Sequence, residues 1–260
     1  MNFPIHPTMD ELERFAAMGF DYLELTLDPP RAHYRQVLDE KARLEAALER
    51  NGMALVCHMP TFVSLADLTE SIREASLREV LQSLETACRL KALKAVVHPA
   101  DFRGMGALVP EISRELALQS LAKIDAAARN LGIEICLENM FPRTGFCAEV
   151  KDFEAVFARF PALKMTLDTG HANIDSPGSK RLFDFIERFS DRIAHLHVSD
   201  NRGKRDDHLP LGNGSIPFPK VLRALKSNGF DHTVTFEVFT EDRVDLRRTR
   251  DRFRRIWDEV

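Results

Sequence analysis

Short apolar runs alternate with longer amphipathic stretches along the whole chain. Eight runs read as strands: FPIH (3–6), FDYLEL (20–25), ALVCH (54–58), LKAVVH (93–98), IEICLE (133–138), KMTLD (164–168), IAHLHV (193–198) and TVTFEV (233–238). The stretches between them, such as REASLREVLQSLETACRL and ELALQSLAKIDAAARNL, repeat apolar residues at three- and four-residue spacing, the period of a helix with one buried face. Gly19, Gly52, Gly132 and Gly229 each stand between a helical stretch and the next strand, where a left-handed cap belongs. Strand–helix alternation predicts an α/β fold with a parallel sheet, and eight units in 260 residues predict a single (β/α)8 TIM barrel over residues 1–260. An open doubly wound sheet is the alternative, but its usual phosphate turn, GxGxxG after an early strand, is missing.

Side chains on a strand alternate between faces, so the parity of each run decides which residues share the barrel interior. Ile133, Ile135 and Leu137 oppose Cys136 and Glu138, and Leu163, Met165 and Leu167 oppose Thr166 and Asp168. Ala194, Leu196 and Val198 oppose His195 and His197, and Val234, Phe236 and Val238 oppose Thr235 and Glu237. The greasier face suits the surrounding helices and leaves the polar one inside. Glu24, His58 and His98 fall likewise at the ends of earlier strands. Seven successive strands thus end in an inward carboxylate or imidazole, at the end of a barrel where active sites form.

Composition narrows the reading only slightly. A net charge of −4 gives no global sign of a polyanion partner. Four scattered cysteines without a CxxC pair, and a start lacking the basic-then-apolar layout of a signal peptide, predict a reduced cytoplasmic protein. No apolar run is long enough to span a membrane. The arginine-dense end, DRVDLRRTRDRFRRIWDEV, interleaves aspartates and reads as a solvated helix face.

Burying many carboxylates and imidazoles together is costly unless a cation compensates them, so the convergence predicts a divalent metal. Two clusters add to it. LDTGHA places His171 in the loop three residues after Asp168, and HLHVSDNRGKRDDHLPLGNG follows His197 with Asp206 and His208. His195 sits one layer below His197 and reads as a supporting residue.

The stretches HPA, LEN, LDTGHA, HLHVSD and DDHLPLGNGSI, in this order, resemble the xylose isomerase-like barrel superfamily, which holds sugar isomerases and epimerases together with endonuclease IV. The resemblance implies a shared metal site at Glu138, Asp168, His197 and Glu237, with both glutamates also acting as the acid/base pair. It implies substrate contacts at His171 and Arg202, and Glu24 stands where it would hold a substrate hydroxyl or orient a ligand. The implied activity is isomerisation or epimerisation of a small sugar or sugar phosphate through an enediolate. The endonuclease IV set of nine ligands also finds counterparts, at His58, His98, Glu138, Asp168, His171, His197, Asp206, His208 and Glu237. The implied cofactor is therefore one to three divalent ions: zinc for an imidazole-rich cluster, or manganese or magnesium for a single site. The alternative activity is zinc-dependent phosphodiester cleavage at abasic DNA sites, with nucleic acid as partner only in that case. Against it, the loops TLDPPRAHYRQ and MPTFVSLADL carry few basic residues for phosphate contacts. A barrel that has lost catalysis and serves as a scaffold is a third possibility, opposed by the intact ligand set.

Overall fold

The computed structural model describes residues 1–2, 4–239 and 243–260, and these divide into two compact units, Met1–Ile135 and Cys136–Val260. The first holds α1 (Thr8–Met18), β1 (Tyr22–Thr26), α2 (Tyr34–Asp39), α3 (Lys41–Asn51), β2 (Ala54–His58), α4 (Glu70–Arg89), β3 (Ala95–Val97) and α5 (Pro110–Leu131). From the boundary onward follow β4 (Ile135–Glu138), α6 (Val150–Arg159), β5 (Lys164–Asp168), α7 (Thr169–Asn173), α8 (Lys180–Phe189), β6 (Ile193–Val198), α9 (Phe218–Ser227), β7 (Thr233–Phe236) and α10 (Val244–Glu259). Within each unit the strands pair in parallel with their neighbours in chain order. That is the α/β pattern the hydrophobic periodicity predicts.

Seven strands form among the described residues, where the sequence predicts eight. Residues 4–6 of the expected FPIH strand are turn and bend, and Phe3 lies outside the described residues. Pro4 has no N–H to give to a ladder. What forms instead is a single rung: the Asn2 N–H donates to the Glu24 carbonyl at 3.0 Å, and the Asn2 Oδ1 accepts from the Thr26 N–H at 2.8 Å. The LKAVVH strand shortens to three residues and TVTFEV to four, so His98 and Glu237 stand just beyond their strands.

Parity holds in both units. In the first, Leu23, Leu25, Leu55 and Cys57, on the face opposite Glu24 and His58, are buried, as are Leu12, Phe15, Leu44 and Leu84 of the helices. In the second, Phe153 and Phe157 of α6 meet Phe185 and Phe189 of α8, with ring centroids 5.3 to 6.1 Å apart across the two helices. Burying each such side chain contributes roughly 1.5–3 kcal/mol, which anchors the strands that carry the polar ends. The predicted caps Gly19, Gly52, Gly132 and Gly229 all adopt positive φ. The four cysteines form no disulfide. Among the described residues no helix is long and apolar enough to cross a membrane.

Candidate metal centre

Register brings the ends of β4, β5, β6 and β7 side by side. Glu138 pairs with Thr166, Asp168 with His197, and His197 with Thr235. Two residues past Thr235, Glu237 donates its N–H to the Val198 carbonyl at 3.1 Å, which continues the pairing beyond β7. Four polar side chains from four strands therefore face one another. His171 joins them from α7 rather than from the loop the sequence predicts. The Asp168 carboxylate itself starts that helix, its Oδ1 accepting the His171 N–H at 2.5 Å as an N-cap.

Glu138, His197, Glu237 and His171, joined by Asp206 and His208 from the segment after β6, close a ring of six in which acid and imidazole alternate. Glu138 Oε2 lies 3.3 Å from His197 Nδ1, which lies 2.9 Å from Glu237 Oε1. Glu237 Oε2 is 3.7 Å from His208 Nδ1, and His208 Nε2 is 2.9 Å from Asp206 Oδ2. Asp206 Oδ2 is 3.3 Å from His171 Nε2, and His171 Nδ1 returns to Glu138 Oε1 at 3.2 Å. Asp168 lies between two of the imidazoles, 3.8 Å from His171 Nδ1 and 4.0 Å from His197 Nδ1. Ligand atoms of Glu138, Asp168 and His171, and of Asp168, His197 and Glu237, fall within 4.8 Å of one another. Asp206 and His208 form the accessible edge, with side chains 23% and 20% exposed, while the other five are buried.

The hydrogen bonding fits a divalent ion. A ring nitrogen carries at most one proton, yet His197 Nδ1 faces oxygens of Glu138, Glu237 and Asp168. Asp168 Oδ2 is buried and accepts no hydrogen bond within the chain. His171 Nδ1 lies 2.9 Å from the Asn139 carbonyl and His208 Nδ1 lies 3.0 Å from the Glu237 carbonyl. A carbonyl only accepts, so each Nδ1 carries a proton, and in both residues Nε2 is the nitrogen that faces Asp206 Oδ2, the arrangement metal-binding histidines use. Without an ion the electrostatics are strained. Burial pushes the Asp168 carboxyl up to about 7, with Glu237, Glu138 and Asp206 adding to the rise and His171 opposing it. Burial works against a charged His171, but Asp168, Asp206 and Glu138 outweigh it and lift the imidazole well above its ordinary value. His208 rises to about 9 for the same reason, with Asp206 the main partner overcoming burial. Despite their burial, Asp206 is held low by His171 and His208, and Glu237 by His197.

In the first unit His58 and His98 come together, ring centroids 4.8 Å apart and nearly perpendicular. His58 Nδ1 lies 2.8 Å from the Met59 carbonyl, again turning Nε2 outward from the strand. Glu24 is buried on β1. Arg202 is exposed, and its backbone N–H donates to Asp207 Oδ2 at 3.3 Å. His195 is buried with Nδ1 2.7 Å from Thr233 Oγ1.

Sequence reasoning assigned no role to Asn139, although it stands in the LEN stretch. Its Oδ1 accepts the Asp168 N–H at 2.7 Å and its Nδ2 donates to the Asp168 carbonyl at 3.1 Å. Phe141, with its ring 5.3 Å from His171, and Phe239, 4.6 Å from His208, were also missed. An amide or a phenylalanine beside a polar run carries no periodic signal.

A sequence profile described as xylose isomerase-like TIM barrel matches residues 12–256. The chain belongs to that family. The α/β TIM-barrel class expected from the strand–helix alternation is thereby shown, with seven strands among the described residues. An uncharacterised protein of Methanocaldococcus jannaschii is 32% identical over 194 residues, covering 73% of this chain and 72% of its own. Fructoselysine 3-epimerase of Escherichia coli O157:H7 is 24% identical over 199 residues, 73% of this chain and 70% of its own. A probable endonuclease 4 of the Aster yellows witches'-broom phytoplasma is 24% identical over 213 residues, 74% and 71%. Among solved structures, a D-tagatose 3-epimerase-like protein superposes with a TM-score of 0.89 at 24% identity, covering 98% of this chain and 95% of its own. At that identity the superposition speaks to the fold.

Proposed function

We propose that the protein is a divalent-metal-dependent isomerase or epimerase of a small sugar or sugar phosphate. The observation that carries this reading is the placement of two buried carboxylates, Glu138 and Glu237, on either side of His197, 3.3 and 2.9 Å from its Nδ1. Glu138, Asp168, His197 and Glu237 would hold an ion. A bound divalent ion would polarise the substrate's carbonyl and so acidify the neighbouring hydroxyl-bearing carbon. Glu138 Oε2 and Glu237 Oε1 are then the groups that take a proton from that carbon and return one to it. Their burial excludes bulk water from the exchange. His171 and Arg202, with Glu24 of the first unit, are the proposed substrate contacts. Arg143, Arg202, Lys204 and Arg205 are exposed on the segments after β4 and β6, and Arg143 Nη2 donates to the Lys204 carbonyl at 3.0 Å. That concentration of cations favours a phosphorylated substrate.

The profile match across both units supports treating residues 1–260 as one barrel domain in this reading. Cysteines without disulfides suit the proposed cytoplasmic setting. Incorporation of solvent deuterium into ketoses and ketose phosphates by the metal-loaded protein tests the activity. Exchange that Glu138→Gln and Glu237→Gln each abolish is the expected result.

A second reading has one specific observation in its favour: Asp206 and His208 complete the ring, beyond the four ligands an epimerase needs, and His58 lies against His98. An extended imidazole-rich set suits two or three zinc ions and phosphodiester hydrolysis. Cleavage of an abasic-site duplex by the zinc-loaded protein, lost in Glu237→Gln, would replace the isomerase reading.

A further inference from the structure

Asp206 and His208 reach the ring from a long segment after β6, and one buried side chain organises that segment. Asp200 is fully buried two residues past β6. Its backbone forms a two-bond antiparallel bridge with Leu209, N–H to carbonyl at 2.9 and 2.8 Å, which closes residues 201–208 into a loop. Its side chain then gathers the chain beyond the bridge. Oδ2 accepts the N–H groups of Gly212 at 2.8 Å and Gly214 at 2.9 Å. Oδ1 accepts those of Asn201 at 2.9 Å and Ile216 at 3.2 Å.

Four N–H donors match the four lone-pair directions of a carboxylate, and no neutral side chain of this size offers as many. The fit extends to the neighbours. A Cβ on Gly214 would lie 2.3 Å from Asp200 Oδ1 and 2.3 Å from the Asn201 carbonyl. His208, inside the closed loop, holds a left-handed backbone at φ 47°, uncommon for a residue with a side chain.

We propose that Asp200 is a positioning residue that presses the Asp206–His208 arm onto the rest of the ring and so sets how many ions the centre holds. The proposal rests on the reading that Asp206 and His208 are metal ligands. Glu138, Asp168, His197 and Glu237 stand on the strands or their direct continuation and do not depend on Asp200. Loss of its carboxylate therefore frees the arm while leaving the strand-borne ligands in place.

The test is a metal titration of chelator-stripped full-length protein, with zinc followed by calorimetry and cobalt followed by its visible absorption. Asp206→Ala tests the ligand reading, and Asp200→Asn and Gly214→Ala test the inference. Wild type is expected to take at least two ions and Asp206→Ala one fewer. Asp200→Asn and Gly214→Ala should weaken that same ion about 10- to 100-fold while the other binds as in wild type. A general loss of structure would weaken both ions, so the selective loss marks positioning. If wild type takes one ion and Asp206→Ala leaves it unchanged, the ligand reading falls and the inference with it. If Asp206→Ala loses an ion while the other two variants titrate like wild type, the inference alone is overturned. Should Asp200→Asn fail to fold, Gly214→Ala, which presses on the same carboxylate from the other side, decides the question.

Discussion

Asp168→Asn should make the metal-free protein more stable and the metal-loaded protein less so. The substitution keeps the shape of the side chain. The new Oδ1 still caps α7 by accepting the His171 N–H, and Nδ2 takes the place of the Oδ2 that accepts no bond. What disappears is a buried negative charge beside Glu138 and Glu237. Burial, with Glu237, Glu138 and Asp206 adding to it, lifts the Asp168 carboxyl from 3.8 to about 7, roughly three units at about 1.36 kcal/mol each, so the ionised side chain destabilises the ion-free fold by about 4 kcal/mol at pH 8. The pH dependence follows in sign. Below about pH 4 the carboxyl is protonated in folded and unfolded chains alike, and wild type and variant should match. From about pH 4 to about pH 7 the unfolded wild-type chain gives up its proton first, so wild-type stability falls and the advantage of the variant grows; above that it is constant. Metal reverses the order. A ligand at about a thousand times its Kd adds about 4 kcal/mol to the wild type, and Asp168→Asn forfeits most of that gain. Urea unfolding at pH 4, 6 and 8, with chelator and with zinc, measures all of it. A variant less stable than wild type in chelator at pH 8, or an advantage that does not change with pH, would refute the account.

Metal uptake should release protons, because Asp168 and His208 titrate near 7 and 9 in the ion-free state and must lose their protons to act as ligands. Apparent zinc affinity should rise between pH 6 and 9, and calorimetry in two buffers of different ionisation enthalpy should count the protons; a flat profile contradicts the assignment. Glu237→Gln should lower kcat about 10²- to 10⁴-fold with near-ultraviolet circular dichroism unchanged. Gly170→Ala places a methyl 2.6 Å from Ser199 Oγ and should destabilise the fold by about 1–3 kcal/mol in urea, with Ser199→Ala recovering much of it. Replacing Arg143 and Lys204 together by Gln should raise KM for a ketose phosphate about tenfold and leave the unphosphorylated sugar unaffected; equal changes for both sugars count against a phosphate contact.

Much of this was legible in the chain. Strand parity turned Glu138, Asp168, His197 and Glu237 inward together with Glu24, His58 and His98, because a period of two leaves no other place for them once the apolar face packs on helices, and the family resemblance then singled out the first four. What failed to show depends on contacts that no local period encodes. Asp200 works through N–H groups twelve to sixteen residues further on, and only the glycines of PLGNG hint that backbone must pass close by. The first strand reduced to one rung because Pro4 interrupts the very run that suggested it.

The reciprocal pair between the Asn139 amide and the Asp168 main chain prolongs the β4–β5 ladder by one artificial step after the true ladder has ended. The floor of the centre is thereby welded before any variable connection begins. Segments above it are at liberty to lengthen, shorten or change sequence without retuning the acid beneath, so new substrates are accessible to such a scaffold by trimming its rim while the chemistry stays where it was.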